Sequence, residues 1–173
     1  LCSGMNPYEQ PALESLAAAV GELLSVNDER LVTAESCTGG WVGQCLTAVA
    51  GSSNWFECGF ICYSNEAKIE LLEVSADTLA IHGAVSEATA AAMASGALRH
   101  SRADWALAIT GVAGPGGGSP DKPVGTVCFA WAEKEGRIDT VTRHFCGDRR
   151  AIRAQAVAHA LGGMLVRAGR RLA

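Results

Sequence analysis

The sequence lacks the features that would assign it to several common functional classes. Its 173 residues carry a net charge of −4 without any block of acidic or basic residues, a distribution that disfavours a nucleic-acid-binding surface. No segment approaches the ~18 consecutive apolar residues of a membrane span. The composition therefore predicts a protein that contacts neither nucleic acid nor membrane.

Disulfide and metal-site patterns are also missing. The seven cysteines are an odd number without C-x-x-C spacing, and no secretory signal precedes them, so we expect reduced thiols and a cytoplasmic location. The four histidines are scattered, and none is spaced from a cysteine or carboxylate as metal ligands are. We expect no metal and no cofactor.

The elements that are present predict one α/β domain. Apolar spacing predicts helices over 9–26, 41–49, 65–72, 76–81, 86–99 and 148–170, and strands over 31–35, 57–63, 103–110, 124–132 and 138–145. Strands that alternate with helices and end in a hairpin favour a three-layer α/β/α sandwich with a mixed parallel and antiparallel sheet. We expect residues 9–173 to form this single domain. Residues 1–8 are expected to be a tag remnant or a flexible terminus.

The most informative segment is A-E-S-C-T-G-G at residues 34–40, between a predicted strand and a predicted helix. Unpaired amides at a helix start can bind negative charge. Ser36 is therefore a candidate nucleophile, and the amides of Cys37, Thr38 and Gly39 are a candidate oxyanion hole. Cys37 is the rival nucleophile, because a thiol at a helix start has a lowered pKa. Spacing does not choose between the two, and the first interpretation of the Cys37 side chain, as of the other cysteines, is a small buried residue.

A serine nucleophile needs a neighbouring base, and Lys68 is the candidate. If Asn65 caps the next helix, Lys68 lies in its first turn, where the helix dipole opposes a cation and lowers the pKa of the amine. Tyr63, at the predicted strand end, is suited to relay the proton or orient the amine. Spacing alone favours the alternative, in which Lys68 is solvated and Tyr63 covers the core.

An anion site is predicted from two further segments. Arg149 falls just inside the start of the last helix, where a bound phosphate or carboxylate would explain a cation; a surface salt bridge is the alternative. The loop over 111–118 is rich in glycine but has neither the lysine of a Walker A loop nor G-x-G-x-x-G spacing. Gly111 and the preceding Thr110 can line a ligand site there, or the loop is a surface turn.

Seven short motifs, in order, resemble the C-terminal domain family of the competence/damage-inducible protein CinA. They are T-A-E-S-C-T-G-G (33–40), G-S-S-N-W-F (51–56), Y-S-N-E-A-K (63–68), H-G-A-V-S-E (82–87), I-T-G-V-A-G-P (109–115), K-P-V-G-T (122–126) and G-D-R (147–149). The resemblance covers roughly residues 9–170. It implies an α/β/α fold without a metal and a nicotinamide-nucleotide amidohydrolase, which converts nicotinamide mononucleotide and water into nicotinic acid mononucleotide and ammonia.

The resemblance also implies roles for individual residues. The family's serine nucleophile falls on Ser36, its lysine base on Lys68 and its tyrosine on Tyr63, while Thr110 and Arg149 match its threonine and arginine. A homo-oligomer is expected from the family. Two alternatives stay open: a catalytically silent nucleotide-binding regulatory module, and a cysteine hydrolase built on Cys37.

Overall fold

The computed structural model describes residues 6–170, and this part of the chain forms six α-helices and a five-stranded sheet. The elements are α1 Gln10–Asn27, β1 Leu31–Glu35, α2 Trp41–Thr47, β2 Phe56–Ile61, α3 Asn65–Leu72, α4 Ala76–His82, α5 Glu87–Arg99, β3 Trp105–Gly111, β4 Thr126–Glu133, β5 Ile138–His144 and α6 Arg149–Gly169, with a short 3₁₀ turn at Ser52–Asn54. The prediction for residues 1–8 falls largely on residues 1–5, which lie outside the described residues.

The sheet is mixed, as the sequence predicts, with strand order β2-β1-β3-β4-β5. Strand β1 runs parallel to β2 and to β3, whereas β4 runs antiparallel to β3 and β5. The chain leaves β1 for β2 on one side and reaches β3 on the other. The carboxyl end of β1 is therefore a topological switch point, the position at which open α/β sheets bind ligands.

Helices cover both faces of the sheet, which confirms the three-layer α/β/α prediction. One core joins the apolar faces of α1, α2 and α6 to one side of the sheet, and the second joins α3, α4 and α5 to the other. The central strands β1 and β3 are buried along nearly their whole length, because both of their faces are covered. This explains why the A-L-A-I run of β3 shows no alternation of polar and apolar residues.

Serine and aspartate side chains fix several helix starts. The Ser86 hydroxyl accepts a hydrogen bond from the amide of Thr89, and the Asp148 carboxylate accepts one from the amide of Ala151. The start of α3 differs from the prediction, because Ser64 rather than Asn65 is the capping residue, with its hydroxyl accepting from the Ala67 amide at 3.0 Å.

Candidate active site

Ser36 follows β1 directly, and hydrogen bonds to both neighbouring strands hold its backbone. Its amide donates to the carbonyl oxygen of Ile109 on β3 at 3.0 Å, and the carbonyl oxygen of Glu35 accepts from the Cys62 amide at 2.8 Å. The parallel sheet therefore extends to the candidate nucleophile. Ser36 is only 7 % exposed, and its backbone is fixed by the sheet edge.

Residues 36–40 form a turn, and α2 begins only at Trp41. The helix start predicted at residue 41 is confirmed, but residues 37–39 precede the helix and do not belong to its first turn. Gly39 and Gly40 have φ angles of 59° and 98°, a left-handed conformation that a side chain would strain. The Gly39 amide is occupied, since it donates to the Ser36 carbonyl oxygen at 3.0 Å. Within residues 6–170, no other residue accepts from the amides of Cys37 and Thr38; the Cys37 amide contacts its own thiol.

The side-chain amine of Lys68 lies beside the Ser36 hydroxyl, with 3.1 Å between Nζ and Oγ. Nζ also donates to the carbonyl oxygens of Cys62 at 2.9 Å and Tyr63 at 3.3 Å, and that of Ser64 lies at 3.5 Å. Lys68 is 1 % exposed, and no carboxylate of residues 6–170 forms an ion pair with it. Burial lowers the pKa of the Lys68 amine below its usual 10.5.

The lowered pKa has a different cause from the one expected. With Ser64 as the cap, Lys68 is the fourth residue of α3, one position further from the helix start than predicted. The loss of water around the ammonium is the main effect on its pKa. The predicted direction of the pKa shift is therefore confirmed, but its cause is tertiary packing and not the helix dipole.

Cys37 lies beside Ser36 but is not an activated thiol. Its side chain is 6 % exposed, and burial raises the pKa of the thiol to about 12. The prediction of a lowered pKa is wrong because the residue lies in a turn before the helix and its side chain enters the core. A neutral, buried thiol is a poor nucleophile.

Tyr63 and Arg149 meet at the rim of the site. The Tyr63 side chain is 60 % exposed, and its hydroxyl accepts a hydrogen bond from Arg149 Nη2 at 2.9 Å. The second terminal nitrogen of Arg149 donates to the Gly114 carbonyl oxygen at 2.8 Å. Tyr63 thus contacts Lys68 through its main-chain carbonyl. Its hydroxyl is bound by Arg149, and the same arginine also binds the glycine-rich loop at Gly114.

Thr110 and Gly111 lie at the carboxyl end of β3, beside the strand end that carries Ser36. The Thr110 hydroxyl is buried and donates to the carbonyl oxygen of Ala84 at 2.7 Å. A Cβ on Gly111 would lie 2.8 Å from Cγ2 of Val127 and 2.9 Å from the carbonyl oxygen of Thr126. Packing against β4 therefore accounts for the glycine at this position.

Sequence reasoning missed Glu35, whose buried carboxylate organises the turn from the other side. One oxygen accepts from the Thr38 hydroxyl at 2.7 Å and the Val42 amide at 3.0 Å, and the other accepts from the Gly43 amide at 3.0 Å. These amides belong to the first turn of α2, whose own cap, Gly40, has no side chain. An acidic residue at the end of a buried strand was the available signal.

Arg153 was missed as well. Its Nε donates to the Cys37 carbonyl oxygen and its Nη2 to the Thr38 carbonyl oxygen, both at 3.0 Å. The guanidinium also lies over the ring of Trp41, 5.4 Å from the centroid. No local pattern indicates this contact, because 116 positions separate Arg153 from Cys37.

Two features are absent from residues 6–170. No three His, Cys, Asp or Glu side chains in this part of the chain are arranged to hold a metal ion. No helix among the same residues combines the length and the apolar character needed to cross a bilayer.

A family model described as the CinA C-terminal domain matches residues 13–167. The chain belongs to this family. Its relatives include the nicotinamide-nucleotide amidohydrolase PncC of Escherichia coli strain K12, which is 54 % identical over 149 residues that cover 86 % of this chain and 90 % of the relative. The protein of the same name from Pseudomonas putida is 46 % identical over 153 residues, covering 88 % of this chain and 95 % of the relative.

Solved structures agree with the family assignment. A CinA superfamily protein from Klebsiella pneumoniae 700603 superposes with a TM-score of 0.88 at 42 % identity, covering 91 % of this chain and 98 % of the other. A CinA superfamily protein from Escherichia coli gives a TM-score of 0.86 at 39 % identity, covering 94 % of this chain and 98 % of the other. The α/β/α architecture is therefore that of the CinA C-terminal domain family.

Proposed function

We propose that this CinA-family chain is a nicotinamide-nucleotide amidohydrolase, which hydrolyses the carboxamide of nicotinamide mononucleotide to nicotinic acid mononucleotide and ammonia. Relatives at 46–54 % identity carry this activity in their names. The observation that carries the proposal is the 3.1 Å contact between Ser36 Oγ and the Nζ of a buried Lys68. A hydroxyl paired with an amine of lowered pKa is a nucleophile with its base.

The carbonyl oxygens of Cys62 and Tyr63 orient the base. A neutral amine has two N–H bonds and one lone pair, and the two nearest of its three carbonyl neighbours, those of Cys62 and Tyr63, accept the two N–H bonds. The lone pair is then left for the Ser36 hydroxyl, so Lys68 accepts the proton as Ser36 Oγ bonds to the carboxamide carbon. The tetrahedral intermediate collapses when the C–N bond breaks and the Lys68 ammonium protonates the departing nitrogen, which leaves as ammonia.

Water completes the cycle with the same groups. Lys68 takes a proton from the attacking water, whose oxygen bonds to the acyl carbon, and the bond to Ser36 Oγ breaks as the hydroxyl regains its proton. Nicotinic acid mononucleotide is released. The Cys37 and Thr38 amides, which have no acceptor in another residue among 6–170, are the donors for the oxyanion in both steps. One such donor contributes ~2.7–4 kcal/mol to barrier lowering.

Arg149 is the candidate for holding the phosphate of the substrate. It lies at the rim, at the first position of α6, and its guanidinium binds two neutral oxygens, those of Tyr63 and Gly114. A phosphate offers a charged acceptor of bidentate geometry. Thr110 and Gly111 border the same edge of the sheet, so we assign them to the wall of the substrate site.

The experiment is the release of ammonia from nicotinamide mononucleotide, compared among the intact chain, Ser36→Ala and Cys37→Ala. We expect Ser36→Ala to lower kcat by on the order of 10⁴–10⁶ and to form no acyl-enzyme detectable by mass spectrometry. Cys37→Ala retains turnover within about tenfold, because a neutral buried thiol takes no part in the chemistry. A folded chain that releases no ammonia would leave a nucleotide-binding regulatory module as the better description.

We infer further that residues 9–173 act as one cytoplasmic unit that assembles into a homo-oligomer. Six cysteines among residues 6–170, from Cys37 to Cys146, are free thiols. Free thiols are in keeping with a reducing compartment. Light scattering during size-exclusion chromatography tests the assembly, and a monomer at micromolar concentration would contradict it.

A further inference from the structure

We propose that Arg153 is a positioning residue for the oxyanion hole, acting through the backbone of the turn at residues 36–40. The inference rests on the proposed amidase function. It concerns a residue on α6 whose side chain binds the carbonyl side of the turn, so that its effect reaches the reacting atoms only through peptide groups.

The first link is the peptide unit between Cys37 and Thr38. In a trans peptide the C=O and N–H bonds point in opposite directions. Arg153 Nε binds the Cys37 carbonyl oxygen at 3.0 Å, so the Thr38 N–H on the same unit points away from the guanidinium. That amide is one of the two without an acceptor in another residue of the described chain.

The second link passes through two peptide units. Arg153 Nη2 binds the Thr38 carbonyl oxygen at 3.0 Å, and the Gly39 amide of that unit donates to the Ser36 carbonyl oxygen at 3.0 Å. The next unit ends in the Cys37 N–H, the other amide without an acceptor in another residue of the described chain. Both candidate oxyanion donors therefore lie at the end of a chain of hydrogen bonds that begins at one guanidinium.

A cation at the carbonyl end of such a chain strengthens the donors at its other end. Each hydrogen bond polarises the next peptide group, and this effect is larger in a site of low dielectric than in water. Thr38 is fully buried and Cys37 nearly so. Arg153 thus makes the two amides better donors toward negative charge and fixes their direction before the substrate arrives, which is the preorganisation that oxyanion stabilisation requires.

The neighbouring Arg150 provides a matched control. Its guanidinium also lies over the Trp41 ring, 5.6 Å from the centroid against 5.4 Å for Arg153. Within residues 6–170, however, Arg150 forms no hydrogen bond to the turn. Replacing Arg150 removes a cation from the same indole and the same helix without releasing the Cys37 and Thr38 carbonyls.

The test compares Arg153→Met, Arg153→Lys and Arg150→Met in the full chain. Methionine keeps an apolar side chain of similar length but cannot donate a hydrogen bond to the Cys37 and Thr38 carbonyl oxygens. Since the two oxyanion donors are weakened and not removed, we expect kcat to fall about 10–100-fold, less than the 10²–10³ that follows loss of a donor. KM stays within about threefold, because uniform substrate binding is unaffected. Lysine restores part of kcat with its single ammonium, and Arg150→Met retains the activity of the intact chain.

A second readout separates this role from a merely structural one. A nucleotide carrying an aldehyde in place of the carboxamide forms a hemiacetal with Ser36 whose oxygen occupies the oxyanion position. In Arg153→Met, the inhibition constant of this aldehyde should rise by the same factor as kcat falls. Here kcat is calculated per active site, with the active sites counted by titration. A loss of titratable sites with unchanged kcat per site would overturn the proposal, as would equal kcat for the Arg153→Met and Arg150→Met variants.

Failure of the inference is distinguishable from failure of the proposed function. If the intact chain releases no ammonia, the amidase function is wrong whatever Arg153 does. If the intact chain is active and Arg153 variants match it, only the positioning role is wrong. Should Arg153→Met not fold, Arg153→Lys decides alone, since kcat equal to that of the intact chain would contradict any need for the paired hydrogen bonds.

Discussion

The amine of Lys68 lies 3.1 Å from the hydroxyl of Ser36, although 32 positions separate the two residues. The pair forms because β1 and β2 are adjacent parallel strands, so that the residue after β1 and the helix after β2 meet at the same edge of the sheet. The carbonyl oxygen of Cys62, at the end of β2, then anchors the amine at 2.9 Å. The sheet thus brings nucleophile and base together.

The buried amine predicts a pH dependence. Because the pKa of Lys68 is lowered from 10.5, the neutral base is present at a lower pH than for a free lysine. We expect kcat/KM to rise with pH through an inflection below 10.5, and Lys68→Arg to be inactive because arginine stays protonated. A rate profile for the intact chain decides this, and an inflection at the free-lysine value would contradict it.

The same lowered pKa links stability to pH. Between the folded pKa of Lys68 and the ordinary value of 10.5, the unfolded chain binds more protons at this residue than the folded chain does. The free energy of unfolding therefore gains a contribution that increases with pH across that window. Urea unfolding of the intact chain and of Lys68→Met at several pH values should show this slope only in the former.

Glu35 is expected to be important for stability as well as for the site. Its carboxylate accepts three hydrogen bonds, including those from the Val42 and Gly43 amides. Glu35→Gln leaves at least one buried donor without an acceptor, at a cost of ~1–3 kcal/mol in the free energy of unfolding. Urea unfolding measures the loss. Glu57→Gln is the control, because its ion pair with Arg30 is partly exposed and contributes about 1 kcal/mol or less; equal losses would refute the prediction.

Arg149 is expected to distinguish the nucleotide from its riboside. Removing a charge-assisted hydrogen bond to phosphate costs ~1.5–3 kcal/mol, so Arg149→Ala should lower kcat/KM for nicotinamide mononucleotide about 10–100-fold. The riboside, tested as substrate or competitive inhibitor, should change little. Tyr63→Phe removes the hydroxyl that Arg149 holds and serves as the comparison. If Arg149→Ala lowers the kcat/KM or the affinity for the nucleotide and for the riboside by the same factor, Arg149 does not bind the phosphate.

Two helical glycines should respond to alanine in opposite directions. A Cβ on Gly96 of α5 would lie 1.9 Å from the Leu72 carbonyl oxygen at the end of α3, whereas one on Gly162 of α6 meets no atom within 4 Å. We expect Gly96→Ala to destabilise the fold by ~1–3 kcal/mol or more and to reduce turnover, since α3 carries Lys68. Gly162→Ala should stabilise it by ~0.5–1 kcal/mol. Thermal melts with activity assays test both, and unfolding shifts of the same sign would contradict the packing argument.

Much of the fold was predictable because its signals are local. The apolar spacing of α6, the serine cap of α5 and the continuous apolar run of β3 each depend on residues close together in sequence. Local signals were insufficient at the start of α3, where Ser64 and Asn65 are both good capping residues and backbone geometry selected Ser64. Local signals also did not choose between Ser36 and Cys37 as the nucleophile, because the desolvation that raises the pKa of the Cys37 thiol is set by tertiary packing.

The sequence by itself determined the order of strands and helices and the segment that contains Ser36, since hydrophobic periodicity and turn residues act over a few positions. The tertiary structure decided the chemistry of that segment. It buried Lys68 and so lowered the pKa of the amine, kept the Cys37 thiol neutral, and joined Glu35 and Arg153 to opposite sides of one turn. Desolvation and long-range hydrogen bonds depend on which groups meet in space, and the sheet topology brings those groups together.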